Sequence, residues 1–278
     1  MTLILGMSKP EGIYICVDYR VTHSVTGEIL DDSSVKSLQI NFPPLENGAK
    51  ALLSFTGIAE LPNGTPTLTW IRETLRGEAE YPDQSLTHLH NRLNRDFARL
   101  RRPLVVNILV THGEKRFFGG LSNIRSLNPF QLLPSFGYAM QEVNQEFLFA
   151  NGSGANIAFA DAKMNKMKSL LGTKPRSIED HMKLLSIVNR RVAALDPKVS
   201  PFCCVSFINA NDSFSPTSRT FAEPGENPPS GRPILLAGLD LTDFMEEAME
   251  AFKAMQDGAP TLRERTIEER NEQLKRRP

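Results

Sequence analysis

Twice along this chain, apolar strand segments joined by turns give way to a pair of amphipathic helices, and a last set of strands follows. That order constrains the fold more than any single motif. Residues 1–22 hold two apolar runs around Ser8-Lys9-Pro10-Glu11-Gly12, which predicts a β-hairpin with a five-residue loop. Residues 35–40 alternate apolar and polar, the pattern of a half-buried strand. Asn47-Gly48 is a hairpin turn leading into a buried strand over 49–55, which Thr56-Gly57-Ile58-Ala59 breaks.

The first helix pair follows. Thr65-Pro66 supplies a capping hydroxyl and a proline at the first helical position, and that helix runs to about residue 75. The second starts near Ser85, sets Leu86, Leu89, Leu93, Phe97 and Leu100 on one face, and stops at Pro103. His88, His90, Arg92 and Arg95 fall on its solvated face. Strands are expected over 104–111 and 116–121, then an irregular stretch over 123–139 containing Pro129 and Pro134. A strand over 147–150 ends at Asn151-Gly152-Ser153-Gly154, and a helix over 155–171 follows. Ser177 with Asp180 is a capping-box-like pair opening another helix, which turns Met182, Leu185, Val188 and Val192 inward. Strands close the pattern at 203–208 and 217–222.

Two antiparallel sheets, each covered by a helical layer, bury all of these faces: an α+β chain folded as a four-layer α/β/β/α sandwich. One domain over 2–223 is expected. Residues 224–278 would be a Pro/Gly-rich linker, an amphipathic helix over 241–255 and a charged tail.

The charge balance is 32 basic against 32 acidic residues, so no global field favours nucleic acid as a partner. Cys16, Cys203 and Cys204 are an odd set with two adjacent, unlike a disulfide framework, which suits a cytoplasmic setting. The opening apolar run is too short for a signal peptide or a membrane span. No His pair has metal-ligand spacing with Cys or acidic partners, and no phosphate loop appears, so neither a metal nor a cofactor is expected.

Thr2 follows the initiator Met, and a small second residue favours Met removal. A threonine so freed carries a hydroxyl nucleophile and an amine base on one residue. Its needs are specific. A nearby cation must keep the amine neutral, a small shift from about 7.7–8.0. A carboxylate must hold that cation, and a backbone donor on an open turn must receive the oxyanion. Lys36, Asp18 and Gly57 are the candidates.

These residues carry a resemblance. Thr2-Leu-Ile-Leu-Gly6, then Gly12-Ile-Tyr-Ile-Cys-Val-Asp18-Tyr-Arg20-Val-Thr22, resembles the opening of proteasome β-type subunits and of the uncharacterised bacterial proteasome-type group. Lys36 matches the family's catalytic lysine after a short insertion, and Phe55-Thr56-Gly57-Ile58-Ala59 its oxyanion turn. Ser153, in Gly152-Ser153-Gly154, is similar to a supporting serine, and Asp196 and Ser200 to the late acid and serine that complete the site. Tyr19 replaces a small residue, Glu60 follows the oxyanion turn closely, and Asp196 and Ser200 are four apart where the family has three. The resemblance implies the N-terminal-nucleophile hydrolase (Ntn) fold, threonine-type hydrolysis and ring or stacked homo-oligomers. It leaves an unfoldase partner unidentified and predicts a pocket near Tyr19, Arg20, Val21 and Ile58.

Three readings stand at this point. The first is a threonine-type amide-bond hydrolase, a peptidase acting on peptide or protein substrates, with Thr2 as nucleophile. The second is a catalytically silent assembly protein of the same fold. The third is a small-molecule amidase.

Overall fold

The computed structural model describes residues 2–23, 26–43, 48–77, 81–97, 100–127, 130–169, 177–209, 217–222 and 233–242. The chain divides into two compact units, Met1–Leu239 and Asp240–Pro278. Of the second, only residues 240–242 are described, so the expected tail lies outside, as do Asn47, Pro129 and most of the 224–233 segment.

In the first unit, β1 (Leu3–Lys9) and β2 (Gly12–Asp18) form a hairpin in which Lys9 faces Gly12. The loop is therefore the two residues Pro10 and Glu11, tighter than the five expected, because Ser8 and Lys9 continue the ladder. A two-stranded ribbon, β3 (Val21–Thr22) and β4 (Ile29–Asp31), leads to β5 (Ser37–Asn41) and β6 (Lys50–Gly57). Helices α1 (Thr67–Leu75) and α2 (Pro82–Asp96) follow, then β7 (Leu104–His112), β8 (Lys115–Leu127), β9 (Phe130–Glu142) and β10 (Phe147–Gly152). The last elements are α3 (Ala155–Ala160), α4 (Ala162–Ser169), α5 (Ile178–Ala193), β11 (Cys203–Ile208), β12 (Thr217–Phe221) and β13 (Ile234–Leu236).

One sheet runs β10-β1-β2-β11-β12, and the other β13-β5-β6-β7-β8-β9 within this unit. Leu86, Leu89 and Leu93 of α2 pack with Ile71 and Leu75 of α1 on Leu53, Val106 and Ile108 of the second sheet. Leu185, Val188 and Val192 of α5 cover Leu5, Cys16 and Val205 of the first. Ile4, Ile15, Val17, Leu52, Leu109 and Ile208 join the sheets face to face. Each such side chain, fully buried, contributes roughly 1.5–3 kcal/mol. The result is the expected four-layer α/β/β/α sandwich, an Ntn fold. Among the described residues no helix is long and apolar enough to cross a membrane.

Several local expectations need correction. Residues 123–127 and 130–139 are not irregular: they belong to β8 and β9, which pair antiparallel. Its register shifts between Ser122 and Ile124, and Pro134 sits in the partner segment between the Leu132 and Gly137 pairings. β9 is the sheet's last strand on this side, and proline is tolerated where its missing N–H disturbs no ladder. Helix α2 replaces the lost pairing there. Asn94 Oδ1 accepts the Phe136 N–H at 2.7 Å, and His90 Nε2 lies 2.8 Å from the Phe136 carbonyl. His90 is thus engaged with β9 rather than placed on a solvated face.

Strand β5 is buried on both faces, not half-buried, because Gln39 and Asn41 pair with each other at 2.7 Å between the sheets. Thr65 caps nothing: its carbonyl accepts the Leu61 N–H in a turn, and Pro66 becomes the cap residue of α1. Ser177 does cap α5, accepting the Asp180 N–H.

The helix expected over 155–171 is two helices broken at Asp161, whose backbone is extended. One Asp161 oxygen accepts the Lys163 N–H at 2.7 Å and the other the Arg191 guanidinium at 2.6 Å on α5. Although burial pushes this carboxyl up, the bonds from Arg191, Lys163 and Met164 outweigh it and hold it below its ordinary value. Asp161→Ala should therefore lower stability at pH 7 by about 1 kcal/mol, as for other lost caps. A folded-state pKa below the unfolded one means that the contribution is present above about 3.9 and fades as pH falls through the folded value. Urea unfolding of both proteins across pH 2–7 checks this, the two curves converging at the acid end.

Candidate active site

The β1–β2 register sets the site. Ile4 faces Val17, so Leu3, one step toward the chain start, is level with Asp18. The Leu3 N–H donates to the Asp18 carboxylate. Thr2 lies just ahead of β1 and is 2% exposed. On its other side β10 ends at Gly152, opposite Leu3, and the Ser153 N–H donates to the Thr2 carbonyl at 3.0 Å. Gly152 has φ +94°, and a Cβ there would lie 1.8 Å from the Thr2 oxygen, so only glycine fits this turn.

Asp18 is fully enclosed. Lys36 Nζ donates to its Oδ1 at 2.9 Å and the Ser200 N–H to its Oδ2 at 3.0 Å. Lys36, just before β5, is also buried and gives a second hydrogen bond to the Arg20 carbonyl at 2.5 Å. Burial pushes the Lys36 ammonium below its ordinary pKa, opposed by Asp18 and then by Asp32 and Asp31. Burial pushes the Asp18 carboxyl up, opposed by Lys36 and by the Ser200 and Leu3 amides. The pair is held together by geometry that neither partner has alone.

Strand β6 brings the rim. The Phe55 N–H reaches across to the Lys36 carbonyl, and the Ile58 N–H points the other way to Pro103. By strand alternation the Gly57 N–H points as Phe55's does, past the start of β5. Gly57 is exposed, and with φ +112° a Cβ would meet the Pro103 oxygen at 2.0 Å. Thr56 Oγ1 lies 3.5 Å from where a Cβ on Gly152 would stand, so the end of β6 borders the Thr2–Gly152 contact.

The sequence candidates thus converge in part. Thr2, Asp18, Lys36 and Ser153 sit together, with Gly57 at the rim. Ser153 Oγ is buried with no partner among the described residues. Ser200 joins through its backbone amide, its hydroxyl being taken by the Phe202 N–H at 3.2 Å. Asp196 is not brought in: its carboxylate accepts the Lys198 N–H at 2.9 Å within its own turn. Of the expected pocket lining, Tyr19 and Ile58 are closed off, while Arg20 and Val21 are half-buried. Tyr19 is 1% exposed with its hydroxyl 3.2 Å from Thr220 Oγ1, and Ile58 belongs to the core under α1.

Arg20 plays a part that pocket-lining did not anticipate. Its guanidinium holds Asp32 through two bonds, at 3.0 and 2.7 Å, and donates to the Pro197 and Val199 carbonyls. One side chain thereby fixes the segment before Lys36 and the turn before Ser200. An arginine two residues after Asp18 with an Asp31-Asp32 pair downstream is the sequence signal for it.

No family model and no curated protein matches the chain. Among solved structures, the Anbu (Gly-1) mutant from Hyphomicrobium sp. strain MC1 is similar at TM-score 0.50 and 11% identity, over 93% of this chain and 96% of that one. At such identity the likeness is one of fold, a proteasome-like Ntn sandwich. The resemblance to the bacterial proteasome-type group is therefore corrected: it does not extend to a family assignment. The physical reason lies in the residues that carried it. The glycine where the strand end turns is demanded by the local backbone here, since a Cβ on Gly57 would meet the Pro103 oxygen at 2.0 Å, so it reports local geometry and not a family.

Breaking one half of the ion pair should leave the other charge buried alone. Asp18→Asn or Lys36→Met is expected to lower stability by about 3–5 kcal/mol, and the double variant to regain most of it. Urea denaturation midpoints of the four proteins measure this.

Proposed function

We propose that the chain is a threonine-type amide-bond hydrolase, a peptidase whose nucleophile is Thr2 once its bond to Met1 is cut. The observation that carries this reading is the buried Lys36–Asp18 pair, whose carboxylate also accepts the amide of Leu3, the residue bonded to Thr2. Among the described residues two of the three Lys36 N–H donors are taken, by Asp18 and Arg20. The third is free to meet the Thr2 amine or hydroxyl.

The chemistry follows. The Thr2 amine takes the hydroxyl proton as Oγ attacks the substrate carbonyl carbon. The oxyanion that forms is stabilised by the Gly57 N–H on its exposed turn. The protonated amine then gives its proton to the leaving nitrogen as the C–N bond breaks, leaving an ester on Thr2. Water hydrolyses that ester, with the amine again as base. Ser153 Oγ, unpaired and next to Thr2, supplies a hydrogen bond to a bound group. Asp18 orients Lys36, and Ser200 and Arg20 hold Asp18 and its surroundings in place. Peptides or proteins are the substrates, the working form is a homo-oligomer and the setting cytoplasmic. Asp196 keeps a secondary place through its turn before Ser200.

The near-complete burial of Thr2 favours a second reading, a silent scaffold of the same fold, should Met1 be retained. Intact mass of the native protein separates the two. Loss of Met1, labelling of Thr2 by a peptidyl β-lactone and loss of the label in Thr2→Ala are the expected results. Retained Met1, or trimmed protein that stays unlabelled, defeats the peptidase reading. Labelling should rise with pH along a single limb, because the amine must be neutral to act, with a midpoint below about 7.7–8.0 from the neighbouring ammonium.

A further inference from the structure

The Gly152–Ser153 turn that grips Thr2 is itself gripped from the opposite sheet. Asn151 Oδ1 accepts the Gly152 N–H at 2.7 Å. That bond sets the orientation of the amide, so its Nδ2 points away, where it donates to Asn107 Oδ1 at 3.0 Å. Asn107 lies in the middle of β7, 4% exposed, two residues before Leu109 on the face that meets the first sheet. Its own orientation is now settled too. Its Nδ2 has no partner among the described residues and stands level with Ser54, its cross-strand neighbour on β6. Ser54 is two residues before Thr56, on the same face of the strand that ends at the site rim.

A hydrogen-bonded path therefore runs from Asn107 to Asn151, through Gly152 and Ser153, to the Thr2 carbonyl. A primary amide between two sheets is unfavourable unless it is bonded, and Val106, Ile108 and Leu109 around it show what this strand otherwise uses. β10 is an edge strand, and strand ends at an edge open first. The link from β7 removes that freedom where Thr2 is held.

We propose that Asn107 is a positioning residue for the Thr2 nucleophile. Through Asn151 it locks the Gly152–Ser153 turn, and with it the Thr2 backbone, against the second sheet. The inference rests on the reading of Thr2 as the nucleophile. Its action is mechanical, since a reacting atom displaced by about 1 Å can lose ~100-fold in rate.

The test uses the full chain as wild type, Asn107→Leu, Asn107→Asp and Asn151→Ala. Leucine keeps the size and removes the acceptor, whereas aspartate keeps an acceptor for Asn151 Nδ2. Asn151 is half-buried, so Asn151→Ala carries the test if Asn107→Leu does not fold. Amide hydrogen exchange at Gly152 and Ser153 should quicken about tenfold in the leucine and alanine variants, the effect of one lost hydrogen bond. Inactivation by a peptidyl β-lactone should lose about 10- to 100-fold in its maximal rate while its half-saturating concentration stays within about twofold. Asn107→Asp should remain near wild type in both. Unchanged exchange in both broken variants, unchanged maximal rates, or an Asn107→Asp as impaired as Asn107→Leu would each overturn the proposal while leaving the nucleophile intact. Trimmed wild type that takes no label would instead defeat the nucleophile reading and this proposal with it.

Discussion

The buried pair of Asp18 and Lys36 is the interaction around which this molecule closes. Neither charge reaches solvent, and desolvating both is compensated by their own contact and by the hydrogen bonds gathered around it. The partners come from four places in the chain: the start of β1, the carbonyl of Arg20, the turn at Ser200 and the segment before β5. The ion pair thus requires the two sheets to meet at this end, and it requires the 196–200 turn to lie over β2. Arg20 enforces the same arrangement from outside, with one guanidinium bonded to Asp32 and to two carbonyls of that turn.

The layer between the sheets explains why so many polar residues are interior. Its middle is aliphatic, from Ile4 and Ile15 to Leu52 and Leu109, and supplies the driving force for stacking. Toward the Thr2 end it changes to Ser37, Ser54, Asn107 and Asn151, neighbours along and across the strands. Of these, the two asparagines gain directional bonds, to each other and to the Gly152 amide, while the Ser37 and Ser54 hydroxyls have no partner among the described residues. An apolar layer would hold the sheets together equally well but would not set where the β10 end and Thr2 lie relative to the end of β6. The directional bond between Asn107 and Asn151 is what an aliphatic pair there could not supply.

How much of this was legible in the sequence depended on whether the cause was local. The periodicity of Leu86, Leu89 and Leu93 announced the face of α2, and Ser177 announced the cap of α5, because both act within a few residues. Strand β9 was not legible. Its proline argued against a strand, and what makes it tolerable is an edge position together with Asn94 and His90 arriving from a helix more than 40 residues earlier. The broken helix at Asp161 escaped for the same reason, since Arg191 lies on another element. In the site, Asp18 and Lys36 were readable as a chemical need. Asp196 was not separable from Ser200 by spacing alone: the serine enters through a backbone amide that any residue there would carry, and the aspartate spends its carboxylate on its own turn.

That distinction also explains how the fold can be shared at 11% identity while a family assignment fails. What the sandwich needs from this chain is sparse: period-two strands, two helix faces and a glycine where the β10 end meets Thr2. Those demands survive almost complete substitution elsewhere, because hydrophobic residues of about the right volume are interchangeable. The chemistry is less forgiving. On the proposed reading it depends on groups around Thr2, and here these are backbone amides and side chains whose own orientation is set by a second layer of bonds. Asn107 belongs to that second layer, on the opposite sheet from Thr2 and linked to its carbonyl through Asn151 and the Gly152–Ser153 turn. On the proposed reading of Thr2, a chain keeps the sandwich and the Asp–Lys pair and still loses a poised nucleophile by changing one amide between the sheets.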